Sequence, residues 1–214
     1  MKSNRDEKEK MLKEKDKELQ ESLKTYKSEV IQHSYMKLST SVVKVHEANL
    51  PGLTATFRLS PVSSGTFWAS GDDRNLIQFD LKGNKLNKIP ASGQVDGFHT
   101  ITTAEELLYT DYEKKSIYRV DTDMTTEAFF DTGEWRPWSI FASHYNGDIL
   151  VGMKKNKEWK ITRYNREGMS FHDIQKKDNG EELYSDVSYM TEKINGDICT
   201  SDIIAREMVV VNRS

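Results

Sequence analysis

The chain has 214 residues and a formal charge of −3, with 36% hydrophobic and 30% charged residues; it is long enough for one substantial core, but part of it is too polar to join one. No window holds the roughly 18 consecutive apolar residues that a membrane span requires, so no membrane partner is expected and the sequence reads as cytoplasmic. The single cysteine, Cys199, excludes an internal disulfide and any cysteine–histidine cluster for structural zinc, which removes RING-type domains from this chain.

Residues 1–38 read as a charged α-helix. No Pro or Gly interrupts Met1 to Met36, where Lys and Glu dominate. Leu12, Leu19 and Tyr26 fall on one heptad position and Leu23 and Val30 on the other, with Asp16 breaking the second seam. Two readings stay open: the end of a coiled coil through which the chain self-associates, or a solvated single helix. Residues 39–53 form a linker, closed by Leu50-Pro51-Gly52. The first forty residues carry ten basic and eight acidic side chains, leaving 21 basic and 26 acidic in the remainder; that balance argues against a broad nucleic-acid surface.

From residue 54 the pattern changes to short extended runs that repeat. Leu76–Asp80, Ile117–Asp121, Ile161–Asn165 and Met208–Asn212 recur at spacings of 41, 44 and 47 residues, each preceded by a second apolar run at 66–70, 107–111, 149–153 and 198–202. Asn146-Gly147-Asp148-Ile149 and Asn195-Gly196-Asp197-Ile198 are identical and 49 positions apart; Asn-Gly predicts a two-residue hairpin turn with both central residues at positive φ. A period of ~40 to 50 residues with several strands and almost no helix signal is that of a β-propeller blade. The expected fold is therefore mainly β, a partial or small propeller of about four blades (54–95, 96–135, 136–185 and 186–214) after a long N-terminal helix. Inner strands are expected near Phe57, Phe98, Ile140 and Tyr189, and outer strands at 86–89, 127–130 and 171–174. The fourth repeat has no outer strand, and Val42-Val43-Lys44-Val45 is one candidate to supply it.

The set Trp135-Arg136-Pro137, Asn146 to Met153, Arg163-Tyr164-Asn165 with Gly168, Leu183 to Asp186 and Asn195 to Ile198 with Ser201-Asp202 resembles the NHL-repeat propellers of invertebrate tripartite-motif proteins. The likeness covers residues 55–214. It implies a coiled coil followed by a target-selecting propeller in a ubiquitin-ligase system, with a protein or an RNA as the target. Val187 stands where that family's motif often has proline, and the usual six blades are not reached.

No nucleophile elbow, phosphate-binding loop or zinc helix is present. Asp121-Thr122-Asp123 opens like a calcium loop, but Thr126 and Thr132 occupy its sixth and twelfth positions, so no cofactor is expected. The enzymatic alternative, a metal-dependent propeller hydrolase or lyase, lacks an evident ligand set. His99 and His144 read as hydrogen-bonded structural histidines, Asp111 and Asp202 as turn caps, and Trp68 and Tyr109 as core between blades. The loops that open onto one propeller face carry Arg74, Tyr112, Trp135, Arg136, Lys154, Lys155, Tyr184 and Arg206. These are residue types found at binding hot spots, and they form the expected ligand face of a non-catalytic scaffold for a protein target. RNA is the alternative ligand.

Overall fold

The computed structural model describes residues 47–56, 58–71, 75–90, 98–121 and 123–212. The expected helix with Leu12, Leu19, Leu23, Tyr26 and Val30, the 42–45 segment, Phe57 and Arg74 lie outside them.

Four antiparallel sheets follow one another along the chain. The first is β1 (Arg58–Val62), β2 (Thr66–Ser70), β3 (Asn75–Asp80) and β4 (Lys85–Pro90). The second is β5 (His99–Ile101), β6 (Leu107–Asp111), β7 (Ser116–Val120) and β8 (Thr126–Asp131). The third is β9 (Arg136–Ala142), β10 (Ile149–Lys155), β11 (Glu158–Tyr164) and β12 (Ser170–Ile174). The fourth has three strands among the described residues, β13 (Tyr189–Glu192), β14 (Ile198–Asp202) and β15 (Glu207–Val211). Each is a meander. β1 packs beside β5, β5 beside β9 and β9 beside β13, and all four first strands line one central cavity. This is a four-bladed, propeller-like arrangement.

Alternation along the strands explains the stacking, because successive side chains leave a sheet on opposite faces. On one face of the second blade Leu107, Tyr109 and Val120 meet Trp68, Leu76 and Ile89 of the first. On the other face Phe98, Leu108 and Ile117 meet Ile140, Ile149, Val151 and Met153 of the third. The third blade in turn sends Leu150, Trp159 and Ile161 against Tyr184, Val187 and Ile198. Trp68 and Tyr109 are thus core between blades, as their aligned positions suggested.

Polar links stitch neighbouring blades at the inner strands. The Ser60 hydroxyl donates to the His99 carbonyl at 3.4 Å, the Ala142 N–H donates to Thr100 Oγ1 at 3.2 Å, and the Ser139 hydroxyl donates to the Val187 carbonyl at 2.6 Å. Between the third and fourth blades Arg163 adds an ionic link. Its Nε donates to Asp148 at 2.7 Å and its Nη2 to Glu192 at 2.9 Å, and Glu192 also accepts from the Ser143 hydroxyl.

The turns correct one expectation. Both Asn-Gly hairpins form, but Gly147 (φ 73°) and Gly196 (φ 86°) have positive φ while neither asparagine does. The backbone closes from Ser143 N to Asp148 O and from Lys193 N to Asp197 O, so the loops are longer than two residues. Each asparagine instead accepts a hydrogen bond from the N–H two residues on, at Asp148 (3.0 Å) and Asp197 (3.2 Å), an Asx turn that holds φ negative. The acid or amide ending the third strands of the first and third blades has the same origin: Asp80 Oδ1 accepts from the Lys82 and Asn84 N–H groups, and Asn165 Oδ1 from those of Glu167 and Met169.

The Glu192 side chain is 2% exposed and that of Arg163 10%, so cutting the pair leaves a buried, uncompensated charge. Arg163→Met is expected to lower unfolding free energy by ~3–5 kcal/mol in urea titrations, with Glu192→Gln in the same background recovering part of the loss.

Candidate functional site

The first strands of the blades all run the same way, so the segments preceding them and the turns between second and third strands share one end of the axis, the upper mouth. A β-bulge shapes this mouth. In the pairing of β9 with β10, Ser139 faces Gly152 and Pro137 faces Met153, which leaves Trp138 without a partner residue. Bulges re-aim side chains near functional sites, and here Trp138 becomes the hub of an aromatic cluster. Its ring lies 6.3 Å from Phe98, 5.7 Å from Tyr112 edge-on and 5.6 Å from Trp159 edge-on. Cations cover the outer rings: Arg136 sits 4.9 Å from the Tyr112 centroid and Lys154 Nζ 5.0 Å from that of Trp159.

Beneath the mouth is a cavity of about 420 Å³ lined by all four inner strands. The Arg58 guanidinium carbon lies 3.2 Å from the Phe98 ring centroid and 4.3 Å from that of Tyr189, so a cation on β1 reaches an aromatic on β13. His99 is 5% exposed, and neither of its ring nitrogens has a hydrogen-bond partner. Burial, reinforced by the charge of Arg58, pushes its pKa down to about 3 from 6.5, so the imidazole is neutral at pH 7.

The expected ligand residues divide. Tyr112, Arg136 and Lys154 converge on the Trp138 cluster. Trp135 lies beside them, half-buried, under the Lys160 ammonium at 4.7 Å. Lys155 pairs with Glu134, and Arg136 with Glu113 at 3.8 Å. Arg206 is exposed in the β14–β15 turn. Tyr184 is 3% exposed and packs with Leu150, Val187 and Ile198; it is core and not surface, because the connection before β13 folds inward at that point. Burial also raises its hydroxyl pKa. His99 likewise departs from expectation in having no hydrogen bond, and His144 is exposed, edge-on to Phe141 at 6.2 Å.

Asp111 and Asp202 do hold turns: Asp111 Oδ1 accepts from the Lys114 N–H at 2.9 Å, and Asp202 accepts from the N–H groups of Ser185, Asp186 and Ala205. Arg58, Phe98, Trp138 and Trp159 were not singled out as site residues by sequence. Pro137, unable to complete a ladder, was the one local hint of irregularity in β9. Among the described residues, no three His, Cys, Asp or Glu side chains gather as metal ligands, and no helix is long and apolar enough to cross a membrane.

The class these sheets define is the β-propeller. No protein-family model and no curated protein sequence matches the chain. Among solved structures, a streptogramin B lyase superposes with a TM-score of 0.58 at 10% identity, over 74% of this chain and 51% of its own. A catalytically inactive virginiamycin B lyase from Staphylococcus aureus, solved with quinupristin, gives 0.53 at 14%, over 73% and 55%. The computationally designed Ika4 protein gives 0.53 at 13%, over 78% and 97%. The chain thus spans about half the length of the lyases, and the likeness is one of fold.

His99 provides a pH test. Its folded pKa lies below its unfolded one, so the unfolded chain takes up a proton first as pH falls, and the folded state loses stability from about pH 6.5 down to about 3. The expected slope is up to ~1.4 kcal/mol per pH unit from this group. In His99→Phe, denaturant titrations across that window should show a correspondingly flatter profile.

Proposed function

We propose that this chain is a non-catalytic binding scaffold whose upper mouth captures a protein target, in the manner of the propeller half of a tripartite-motif-like ubiquitin-ligase system. The observation that carries the reading is the Trp138 cluster. A bulge holds Trp138 against Phe98, Tyr112 and Trp159, with Arg136 and Lys154 over the outer rings. Rigid aromatics flanked by arginine are what protein hot spots are made of, since they offer large contact area at low entropic cost. Self-association through residues 1–38 belongs to the same proposal, as a way of raising avidity for a repeated or dimeric target.

RNA is the second ligand class. Two of the mouth's cations are already paired, Arg136 with Glu113 and Lys155 with Glu134, and paired cations release fewer counterions on meeting phosphates. The protein reading is therefore favoured.

The test is charge reversal at the two ends of the axis. Arg136→Glu with Lys154→Glu should reduce capture of a partner identified by cross-linking by about tenfold or more. Lys82→Glu with Lys193→Glu, in turns at the opposite end, should leave capture unchanged. Equal loss from both pairs, or capture indifferent to the first, refutes the assignment of the face. Salt-sensitive binding of single-stranded RNA that the first pair abolishes would transfer the face to RNA.

A further inference from the structure

The fourth blade departs from the other three at one repeated place. Leu76, Ile117 and Ile161 hold matching positions on the third strands of the first three blades, and each is 0% exposed in the packing against the blade that follows. Met208 is their counterpart on β15, and it is 72% exposed.

Strand pairing extends the observation to a whole side of the sheet. Met208 lies opposite Ser201, which lies opposite Tyr189; Val210 lies opposite Cys199, which lies opposite Thr191. Residues directly opposite on antiparallel strands share a face, so these six form one side. Tyr189 is 49% exposed and Val210 43%. The other side, with Met190, Ile198 and Val209, packs on the third blade. Of the thirteen large hydrophobic side chains exposed among the described residues, six belong to this blade: Tyr189, Ile194, Ile203, Ile204, Met208 and Val210. Exposed apolar residues scattered singly are ordinary, whereas a concentration of them marks an interaction surface.

Two features decide what covers it. All six side chains of the outer side are uncharged, in a chain with 30% charged residues, so a copy of the same surface faces it without setting like charges opposite one another. The far end of the arrangement is also closed. On the first blade, the side turned away from the second carries Ala69, Ile77 and Phe79, all 0% exposed and packed with Leu50 and Leu53. A head-to-tail contact, the fourth blade of one molecule on the first blade of the next, finds the middle of that side taken. The contact left is the isologous one, in which a patch meets its own copy about a two-fold axis.

We propose that a second copy of this chain covers the outer side of the fourth blade, with β13–β15 of the two copies packed face to face in a two-fold dimer. Sheets stacked in this way lie about 10 Å apart, which brings Met208 and Val210 of each copy onto the other's outer side. Three short strands offer less than the roughly 800 Å² per partner of a standard interface, so the dimer is reversible and dissociates in the micromolar range. This contact is separate from the upper mouth and from self-association through residues 1–38.

Sedimentation of the full chain tests it, in a background of Leu19→Asp with Leu23→Asp that takes association through residues 1–38 out of the measurement. The background chain should dimerise as its concentration rises. Adding Met208→Lys, at a side chain already 72% exposed, should weaken the dimer by about tenfold or more and leave the melting temperature of the dilute monomer unchanged. Leu86→Lys, at an apolar place on β4 that is 48% exposed, should leave the dimer intact. Cys199, the chain's one cysteine, gives a second reading with the patch unaltered. Stacked sheets hold two such residues too far apart for a disulfide, whose Cα atoms must lie within about 7 Å, but a short bismaleimide should join the copies. A background chain that stays monomeric throughout the micromolar range leaves the surface to some other partner and overturns the proposal. A dimer indifferent to Met208→Lys, or one that Leu86→Lys weakens as much, overturns it as well. Should Met208→Lys fail to fold, the cross-link decides alone: no joining of copies through Cys199 in the background chain overturns the proposal.

Discussion

β6 and β10 have no side to offer to water. All five residues of β6 are buried, as are the first five of β10, and since strand side chains alternate between faces, each of these sheets must be covered twice. A sheet covered on both faces by other sheets, with its strands in simple meander order, can only extend its architecture by stacking. The natural twist of each sheet then turns the stack into an arc. From this constraint follow the positions of the inner strands, which meet edge-on at the concave side, and the cavity they enclose. No residue needs to be selected to make that cavity. Selection acts on what lines it.

The linkers across the blades are consequences of the same geometry. Inner strands meet edge to edge without ladder pairing between blades, so hydroxyls from Ser60, Thr100 and Ser139 take over the bonding to neighbouring main chain. Gly152 belongs to this scheme. A Cβ there would overlap the Ser139 hydroxyl and the Val187 side chain, so the glycine is what lets the fourth blade's entry segment approach the third blade closely enough for the Ser139–Val187 bond. It is also the residue opposite Ser139 where the β9–β10 register shifts. The close packing of the fourth blade and the exposure of Trp138 to Tyr112 and Trp159 therefore arise at one point on β10.

The repeat architecture was legible because it rests on local chemistry repeated at a period. Third-strand ends at Asp80 and Asn165 recur because an acid or amide there makes an Asx turn, and the apolar runs recur because each blade must be covered twice. The Asn-Gly turns misled for an equally local reason: the Asn146 and Asn195 side chains bond forward to main chain, a competitor to the two-residue turn that the dipeptide alone does not display. The mouth was half legible. Tyr112, Arg136 and Lys154 sit in segments whose place on one face follows from meander order. Arg58, Phe98 and Tyr189 are 131 residues apart from first to last and meet only because three blades bring them to the axis. Tyr184 was misplaced because one residue's inward turn in an irregular connection has no periodic signature.

The two ends of the axis differ in how completely their polar groups are satisfied, and that difference orients the molecule. At the lower end, Arg163 is bonded to Asp148 and Glu192, Glu192 to Ser143, and Arg166 to the Asn146 carbonyl: charges are matched, and a newcomer would have to break existing bonds. Toward the upper end, the His99 nitrogens and Trp138 Nε1 are buried with nothing to bond. A buried polar group without a partner costs about 1–3 kcal/mol, a cost that a satisfied lower end does not carry and that an apolar residue at either place would remove. Stability alone would favour such residues. The buried hydroxyls of Ser70, Tyr184, Thr200 and Ser201 also have no partner, so the cost is spread over the first, second and fourth blades and is a property of how the blades pack.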